Sequence, residues 1–128
     1  MAYKPGGYTS VAPYLTVNGA QKTVDFLVRV FSAQRLRTIP GDAGQLAHAE
    51  VRIGDTVVML TDATAGWPAV AAHVHVYVPD VDATYALAIA AGATAVKPPT
   101  VSDDADKRGG FQDPGSTTWW VSTQMAEA

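Results

Sequence analysis

The sequence predicts an α+β fold made of two tandem βαβββ modules, because the same order of elements occurs twice. A shift of 61 residues superposes the two strand–helix junctions, laying LTVNGAQKT (15–23) on VYVPDVDAT (76–84). The same shift lays GDTVVMLTD (54–62) on GSTTWWVST (115–123). Repetition at a fixed spacing indicates a duplicated structural unit.

The chain is predicted to form one domain over residues 1–128, since this length suits a single compact domain. Module one is expected over about residues 8–62, and module two over about residues 72–124. The segment between them, ATAGWPAVA (63–71), is rich in small residues with Gly and Pro as breakers, and is predicted to be a linker.

The first module begins with a predicted strand, VAPYLTV (11–17), which is rich in β-branched and aromatic residues. Asn18 follows and is expected to cap the next helix. Apolar residues of that helix recur at i, i+3, i+4 and i+7, as in a helix that packs on a sheet. A Gly54-Asp55 turn joins the last two strands of the module into a hairpin. The three strands after the helix are predicted at 34–39, 46–53 and 56–62.

The second module repeats this order, and Gly92 is expected to end its helix. Pro98 and Pro99 are expected to stop the strand that follows the helix. The polar stretch TVSDDADK (100–107) is predicted to be a mobile loop. The remaining elements are predicted as strands at 73–78, 93–99, 108–113 and 117–123, and a helix at 80–91.

The composition limits the classes of function. Charged residues make up only 16% of the chain, below the usual quarter, which favours self-association and a homodimer. The net charge is −3 and no basic run is present, so no nucleic-acid partner is expected. The absence of cysteine excludes disulfides and thiolate metal sites. Neither a signal-like N-terminus nor a membrane-spanning apolar run is found, so a cytoplasmic protein without a membrane partner is predicted.

Four stretches occur in a characteristic order: APYLTVNGAQKTVDFL, HAEVRIGDTVVMLTD, HVHVYVPDVDATYALAIAAGA, and the Asp113-Pro114 hairpin before the last Trp-bearing strand. Together they resemble the glyoxalase/bleomycin-resistance/dioxygenase superfamily, also called the vicinal oxygen chelate superfamily, and in particular its small bacterial homodimeric glyoxalase-like branch. The resemblance implies that the modules form a curved mixed sheet, a half-barrel cup around a cavity. One departure is Gly115-Ser116, where members often have an aromatic residue and then Gly, so the last turn is expected to differ.

Metal-dependent members of this superfamily carry one ligand on the first and one on the last strand of each module. By resemblance these places fall on Ala12, Thr61, His73 and Ser122, and the internal shift independently pairs Ala12 with His73 and Thr61 with Ser122. Only His73 can ligate a metal well, whereas a catalytic metal normally needs about three protein ligands. The resemblance therefore implies a cavity that lacks the usual metal quartet, and no cofactor is predicted.

Strand alternation predicts which side chains share the cavity, since alternate residues of a strand lie on one face. If His73 lies on the cavity face, so do His75 and Tyr77. Of the two adjacent tryptophans, Trp120 is expected in the cavity and Trp119 beneath a helix. The predicted ligand-binding residues are Tyr14, His48, Glu50, Met59, His73, His75, Tyr77 and Trp120.

The polar members of this set leave several interpretations open. His48 and Glu50 could recruit a metal together with His73 or His75, as a relocated site. They could instead act as an acid/base pair without metal. Glu50 could also form a structural ion pair with Arg52, and the histidines could be pocket-wall residues held by neighbouring hydroxyls.

The favoured hypothesis is a small-molecule-binding protein that sequesters an aromatic or cationic compound. Tyr14, Tyr77 and Trp120 would stack on the guest, and Glu50, if unpaired, would favour a cation. The histidines at 48, 73 and 75 would orient the guest. The alternative is a divalent-metal-dependent lyase, isomerase or dioxygenase that uses the relocated His/Glu site. Catalytic activity is therefore left open, and a regulatory module with an empty cavity is the third possibility.

Overall fold

A computed structural model describes residues 2–125 and confirms the predicted α+β architecture of two βαβββ modules. The chain divides between Val70 and Ala71 into two compact units, and each unit contains one four-stranded sheet and one α-helix. Among residues 2–125, no helix is long and apolar enough to cross a lipid bilayer.

Module one has a mixed sheet with strand order β1-β4-β3-β2. Strand β1 runs parallel to β4, and the remaining pairs are antiparallel. The elements are β1 (Tyr14–Val17), α1 (Ala20–Phe31), β2 (Gln34–Pro40), β3 (Leu46–Ile53) and β4 (Thr56–Asp62).

Module two repeats the topology with strand order β5-β8-β7-β6, in which β5 runs parallel to β8. The elements are β5 (His73–Tyr77), α2 (Val81–Ala90), β6 (Thr94–Val101), β7 (Asp106–Gln112) and β8 (Thr118–Gln124).

The strand registers follow the 61-residue repeat. Tyr14 of β1 lies opposite Met59 of β4, and His75 of β5 lies opposite Trp120 of β8. Both members of the second pair are 61 residues beyond those of the first. The repeat slips by one residue in the third strand of each module, because Met59 faces Glu50 whereas Trp120 faces Gly110.

Helix α1 packs an apolar face on its sheet, and its buried residues include Val24, Leu27 and Val30. The prediction that Asn18 caps this helix is wrong. The N-cap residue is Gly19 in a left-handed conformation, and it has no side chain to cap with. The carboxylate of Asp62 at the end of β4 substitutes for a cap, because its Oδ1 accepts from the backbone N–H groups of Gly19 (3.0 Å) and Ala20 (2.8 Å).

At the equivalent position of module two, the hydroxyl of Thr123 accepts a hydrogen bond from the start of the helix. Thr123 lies 61 residues after Asp62, and its Oγ1 accepts from the backbone N–H of Val81 at 2.9 Å. Asp80 provides a second cap by accepting from Ala83 N–H at 3.1 Å. The repeat therefore preserves the tie between the last strand and the start of the helix, although the residue type changes.

Strand β6 continues through Pro98 and Pro99, so the predicted stop at these residues is wrong. The strand lies at the edge of its sheet, where a missing N–H on the outer side breaks no ladder bond. Register shifts on both sides of Lys97 accommodate the two rings. The predicted mobile loop at 100–107 is correspondingly replaced by the ends of β6 and β7, and the connection comprises residues 102–105.

The last turn is organised around the buried Asp113 carboxylate. Its Oδ1 accepts from the backbone N–H groups of Gly115 (2.8 Å) and Thr117 (3.1 Å), and its Oδ2 accepts from the indole N–H of Trp119 (2.7 Å). Trp119 is fully buried, as predicted for the tryptophan that faces away from the site. Burial raises the pKa of Asp113, and the three donated hydrogen bonds oppose that shift.

Candidate functional site

In module one, the candidate residues lie on the sheet face opposite helix α1. Along β3, Ala49 and Val51 are buried and alternate with His48 and Glu50. Glu50 lies opposite Met59, which in turn lies opposite Tyr14. The structure thus brings together the four predicted residues of module one: Tyr14, His48, Glu50 and Met59.

Glu50 is the electrostatic centre of this face, although it is only 5% exposed. The phenol of Tyr8 donates to its Oε1 at 2.5 Å, and Nε2 of His48 contacts its Oε2 at 2.8 Å. Burial alone would raise the pKa of Glu50, but the hydrogen bonds from Tyr8 and His48 outweigh it and lower the pKa below its usual value. The same contact raises the pKa of Tyr8, because losing the phenolic proton would end the bond to Glu50.

His48 uses both ring nitrogens within this network. A carboxylate can only accept, so Nε2 carries the proton that points to Glu50. In the neutral ring, Nδ1 then accepts from the hydroxyl of Tyr14 at 3.3 Å. Tyr14, His48, Glu50 and Tyr8 therefore form one continuous hydrogen-bonded chain.

The predicted ion pair between Glu50 and Arg52 is not formed. The Arg52 guanidinium instead donates to Gln34 Oε1 at 3.1 Å and to the carbonyl oxygen of Gly7 at 3.0 Å. With Tyr8 on Glu50, these contacts place the N-terminal segment over the sheet face. Sequence reasoning missed this segment and Tyr8, since the segment has neither strand nor helix periodicity.

In module two, His73, His75 and Tyr77 are exposed and alternate along β5 with half-buried valines, as strand alternation predicts. In register they lie opposite Thr118, Trp120 and Ser122 of β8. The four predicted residues of module two, His73, His75, Tyr77 and Trp120, therefore share one sheet face.

His75 is held by a hydroxyl that is itself held by a cation. Nε of Arg108 donates to Ser122 Oγ at 3.0 Å, and Oγ lies 2.9 Å from His75 Nε2. Since the arginine can only donate, the fully buried Ser122 hydroxyl accepts from it and also forms a hydrogen bond with Nε2 of His75. Burial and then the charge of Arg108 lower the pKa of His75, while Asp106 acts in the opposite direction. The lowered pKa favours the neutral form of the His75 ring.

Two acidic residues complete this cluster. The buried Asp106 carboxylate accepts from the Tyr77 hydroxyl at 2.8 Å and from Arg108 at 3.1 Å. Asp104 forms a second ion pair with Arg108 at 2.9 Å. The bond to Asp106 raises the pKa of Tyr77, and the His75 ring lies edge-on to Tyr77 with centroids 4.7 Å apart. Arg108 and Asp106 were not among the predicted residues, and their position beside a predicted loop concealed their place on the sheet face.

His73 and Trp120 contact each other through their ring edges. The indole N–H of Trp120 donates to Nδ1 of His73 at 3.0 Å, and the two ring planes differ by only 9°. Trp120 lies over the backbone of Gly110, where an added Cβ would approach ring atoms to 2.7 Å.

The residues at the four family ligand places do not fit a metal ion. Ala12 has only a methyl group, and the Thr61 hydroxyl donates to the carbonyl oxygen of Ala47 at 2.9 Å. The Ser122 hydroxyl forms hydrogen bonds with Arg108 and His75, and Nδ1 of His73 accepts a hydrogen bond from Trp120. Within residues 2–125, no cluster of three or more His, Cys, Asp or Glu side chains is placed to hold a metal.

A surface hollow of about 610 Å³ lies elsewhere, in the compact unit that ends at Val70. None of the eight predicted ligand-binding residues lines it, and its lining contains no titratable side chain. The lining residues are Asn18, Gln45, Ala63, Thr64, Ala65, Pro68 and Ala69.

Comparison with known proteins defines the family to which this chain belongs. The sequence profile of the Glyoxalase/Bleomycin resistance protein/Dioxygenase superfamily matches residues 8–121, so the chain belongs to this superfamily, as the sequence predicted. Protein Mb0911c of Mycobacterium bovis is 33% identical over 135 aligned residues, which cover 92% of this chain and 85% of the relative. Protein Rv0887c of Mycobacterium tuberculosis has the same identity, with 92% of this chain and 76% of the relative covered.

Solved structures show the same fold. TioX from Micromonospora sp. ML1 matches with a TM-score of 0.76 and 24% identity, over 91% of this chain and 98% of TioX. TnmS3, an antibiotic binding protein from Streptomyces sp. CB03234, matches with a TM-score of 0.70 and 21% identity, over 97% of this chain and 98% of TnmS3.

Proposed function

We propose that this protein binds and sequesters a planar aromatic small molecule without using a metal ion. The observation that carries the proposal is the state of the three histidines. Each ring has a nitrogen already held in a hydrogen bond by a neighbour: Tyr14 for His48, Trp120 for His73 and Ser122 for His75. A metal needs a free lone pair on the ligating nitrogen, so these imidazoles support recognition by enclosure and hydrogen bonding.

The same contacts favour an aromatic over a cationic guest. Glu50 was the candidate for attracting a cation, but both of its oxygens accept hydrogen bonds and the carboxylate is buried. Asp104 and Asp106 are paired with Arg108. Tyr14, Tyr77 and Trp120, in contrast, keep apolar ring surface on their sheet faces, which suits stacking.

Membership in the superfamily and the likeness to TnmS3 add support. TnmS3 is an antibiotic binding protein, and the two folds agree over nearly the whole of both chains. We extend ligand binding to this chain because its own sheet faces carry aromatic side chains together with fixed N–H donors. Several aromatic contacts, each worth about 1 kcal/mol beyond burial, contribute to the roughly 8 kcal/mol that micromolar binding requires.

Titration with fused-ring antibiotics, starting with an anthracycline, tests the proposal through tryptophan fluorescence. We expect saturable quenching for the wild-type protein and clearly weaker quenching for Trp120→Phe, since Trp119 is buried and leaves Trp120 as the responsive ring of β8. Trp67→Phe is the matched control in the segment between the modules. Equal quenching by Trp120→Phe and the wild type would contradict the assignment of the site.

The competing function is a divalent-metal-dependent lyase, isomerase or dioxygenase with a relocated His/Glu site. Elemental analysis of untagged protein, after exposure to Zn²⁺, Ni²⁺, Mn²⁺ and Fe²⁺ and extensive dialysis, separates the two. We expect substoichiometric metal. A stoichiometric metal that His73→Ala or Glu50→Gln removes would overturn the proposal and favour the enzyme.

A homodimer is the proposed assembly. Apolar side chains of module two are exposed, including Leu87 (39%), Val96 (49%) and Val101 (65%). Burial of such surface is the usual driving force for association. A native mass spectrum of protein taken directly from cells would report the oligomer, the metal and any retained ligand in one measurement. The cytoplasmic location stays a prediction from sequence.

A further inference from the structure

The contact between Trp120 and His73 has a geometry that differs from ordinary ring stacking. An indole N–H lies in the plane of its ring, and the lone pair of an imidazole nitrogen lies in the plane of that ring. A 3.0 Å hydrogen bond between them, with ring planes only 9° apart, therefore places the rings edge to edge in nearly one plane. The 6.3 Å separation of the ring centroids agrees with this arrangement.

The position of the Trp120 ring is fixed by the backbone of Gly110, over which it lies. Gly110 of β7 lies opposite Trp120 of β8, and the six-membered ring of the indole occupies the space that a Cβ of residue 110 would need. Any other residue at this position would force the ring off the sheet. Gly110 thus allows the indole to lie flat on the strand backbone, and its opposite face points away from the sheet.

The hydrogen bond also fixes the chemistry of His73. Nδ1 must accept because the indole nitrogen can only donate, so the neutral ring carries its proton on Nε2. A metal at Nε2 would require the proton to move to Nδ1, where it would face the Trp120 N–H. The contact therefore makes His73 an extension of the Trp120 surface and a poor metal ligand.

We propose that Trp120 and His73 act as one flat, three-ring platform that selects fused aromatic ligands of at least three rings. This inference rests on the proposed function and specifies its ligand class. Indole alone presents two fused rings, and the coplanar imidazole adds a third. A one- or two-ring guest is covered by the indole, whereas a three-ring guest also stacks on His73.

The test uses pyridine, quinoline and acridine, which are planar, neutral at pH 8 and contain one, two and three rings. Isothermal titration calorimetry is expected to show acridine binding the wild type more tightly than quinoline. His73→Gln keeps an acceptor for the Trp120 N–H but removes the ring. We expect it to weaken acridine binding about five-fold, the worth of one aromatic pair, and to leave quinoline within two-fold.

Two further variants separate the platform from general effects. Gly110→Ala should weaken both acridine and quinoline, because the added methyl group displaces the indole. Gly66→Ala is the matched control, since a Cβ there meets no atom within 4 Å. A ¹⁵N–¹H correlation spectrum of the histidine rings provides a ligand-independent readout, in which His73 should carry its proton on Nε2 at pH 8.

The outcomes distinguish this inference from the proposed function. Acridine binding that His73→Gln leaves unchanged, or a His73 proton on Nδ1, would overturn the platform while leaving ligand binding intact. Binding of an anthracycline without any acridine binding would have the same consequence. If no aromatic compound binds the wild type, both the platform and the proposed function are wrong.

Discussion

Replacing Glu50 by Gln tests whether a buried, ionised carboxylate organises the sheet face of module one that lies opposite helix α1. The substitution keeps the shape of the side chain and removes its charge. In the wild type, Tyr8 and His48 each donate to one carboxylate oxygen. An amide has only one oxygen, so one of these two neighbours meets an N–H group instead of an acceptor.

The expected cost follows from these two hydrogen bonds. A hydrogen bond to a charged group contributes about 1.5–3 kcal/mol, and a neutral one about 0.5–1.5 kcal/mol. Glu50→Gln lowers one bond from the first range to the second and removes the acceptor of the other. We therefore expect the free energy of unfolding to fall by about 2 kcal/mol at pH 7. Tyr8→Phe removes one donor from a half-exposed position and should lower the free energy of unfolding less than Glu50→Gln does.

The pH dependence gives an independent check. The folded protein lowers the pKa of Glu50 below the ordinary value of 4.5, so the unfolded chain takes up a proton first as the pH falls. The stabilisation is therefore present above about pH 4.5 and is lost as the pH falls through the folded pKa. The difference between wild type and Glu50→Gln should shrink accordingly below about pH 4.

Urea unfolding at pH 7 and at pH 3.5, followed by circular dichroism, measures both effects. A cost of about 2 kcal/mol corresponds to a midpoint shift on the order of 1 M urea. Asp42→Asn is the matched control, because it also neutralises a carboxylate but at an exposed residue. Equal stability of Glu50→Gln and wild type at pH 7, or a difference that persists unchanged at pH 3.5, would refute the reasoning.

Three other predictions concern the supports of the two sheets. Asp62→Ala leaves the backbone N–H groups of Gly19, Ala20 and Leu46 without their acceptor and should lower the free energy of unfolding by about 3 kcal/mol. Thr123→Ala removes the acceptor of one backbone N–H and should lower it by about 1 kcal/mol, so equal costs in urea unfolding would contradict the different capping roles. Asp113→Asn turns an N–H group towards the turn backbone or towards Trp119, and should lower the free energy of unfolding by about 2 kcal/mol and change the near-ultraviolet circular dichroism spectrum. An unaltered spectrum and an unaltered urea midpoint would be inconsistent with these hydrogen bonds. The folded protein lowers the pKa of His75, so the contribution of His75 to stability is present above about pH 6.5 and is lost as the pH falls. His75→Gln should reduce the change in the free energy of unfolding between about pH 5 and 7, and an unchanged pH dependence would exclude His75 as its cause.

The periodic parts of the fold could be predicted from sequence because they are written in local patterns. Alternation placed Trp119 in the core and Trp120 on the opposite face, and the burial of the two rings agrees with this. The 61-residue shift predicted that Thr61 and Ser122 occupy equivalent places, and the strand registers confirm it. Both inferences depend only on the two-residue period of a strand.

The contacts that decide the chemistry were not written in such patterns. Tyr8 reaches Glu50 from 42 positions away, out of a segment without regular structure. The strand pattern predicts only that a strand ends at Asp62, whereas the carboxylate of Asp62 caps helix α1, which begins 42 positions earlier. Pro98 and Pro99 predict the end of a strand, because the sequence does not reveal that β6 lies at an edge of its sheet.

The one-residue slip between the modules explains why their candidate sheet faces differ chemically. Glu50 faces Met59 in module one, and the position equivalent to Glu50 in module two is Gly110, which faces Trp120. In module one this position carries Glu50, whose carboxylate lies in the buried hydrogen-bond network with Tyr8 and His48. Gly110 has no side chain, and the indole of Trp120 occupies the space that a side chain at this position would need. Exchanging the pair in module two, as Gly110→Glu with Trp120→Met, should therefore abolish binding of a three-ring aromatic compound; retention of that binding would show that the ligand does not stack on this strand pair.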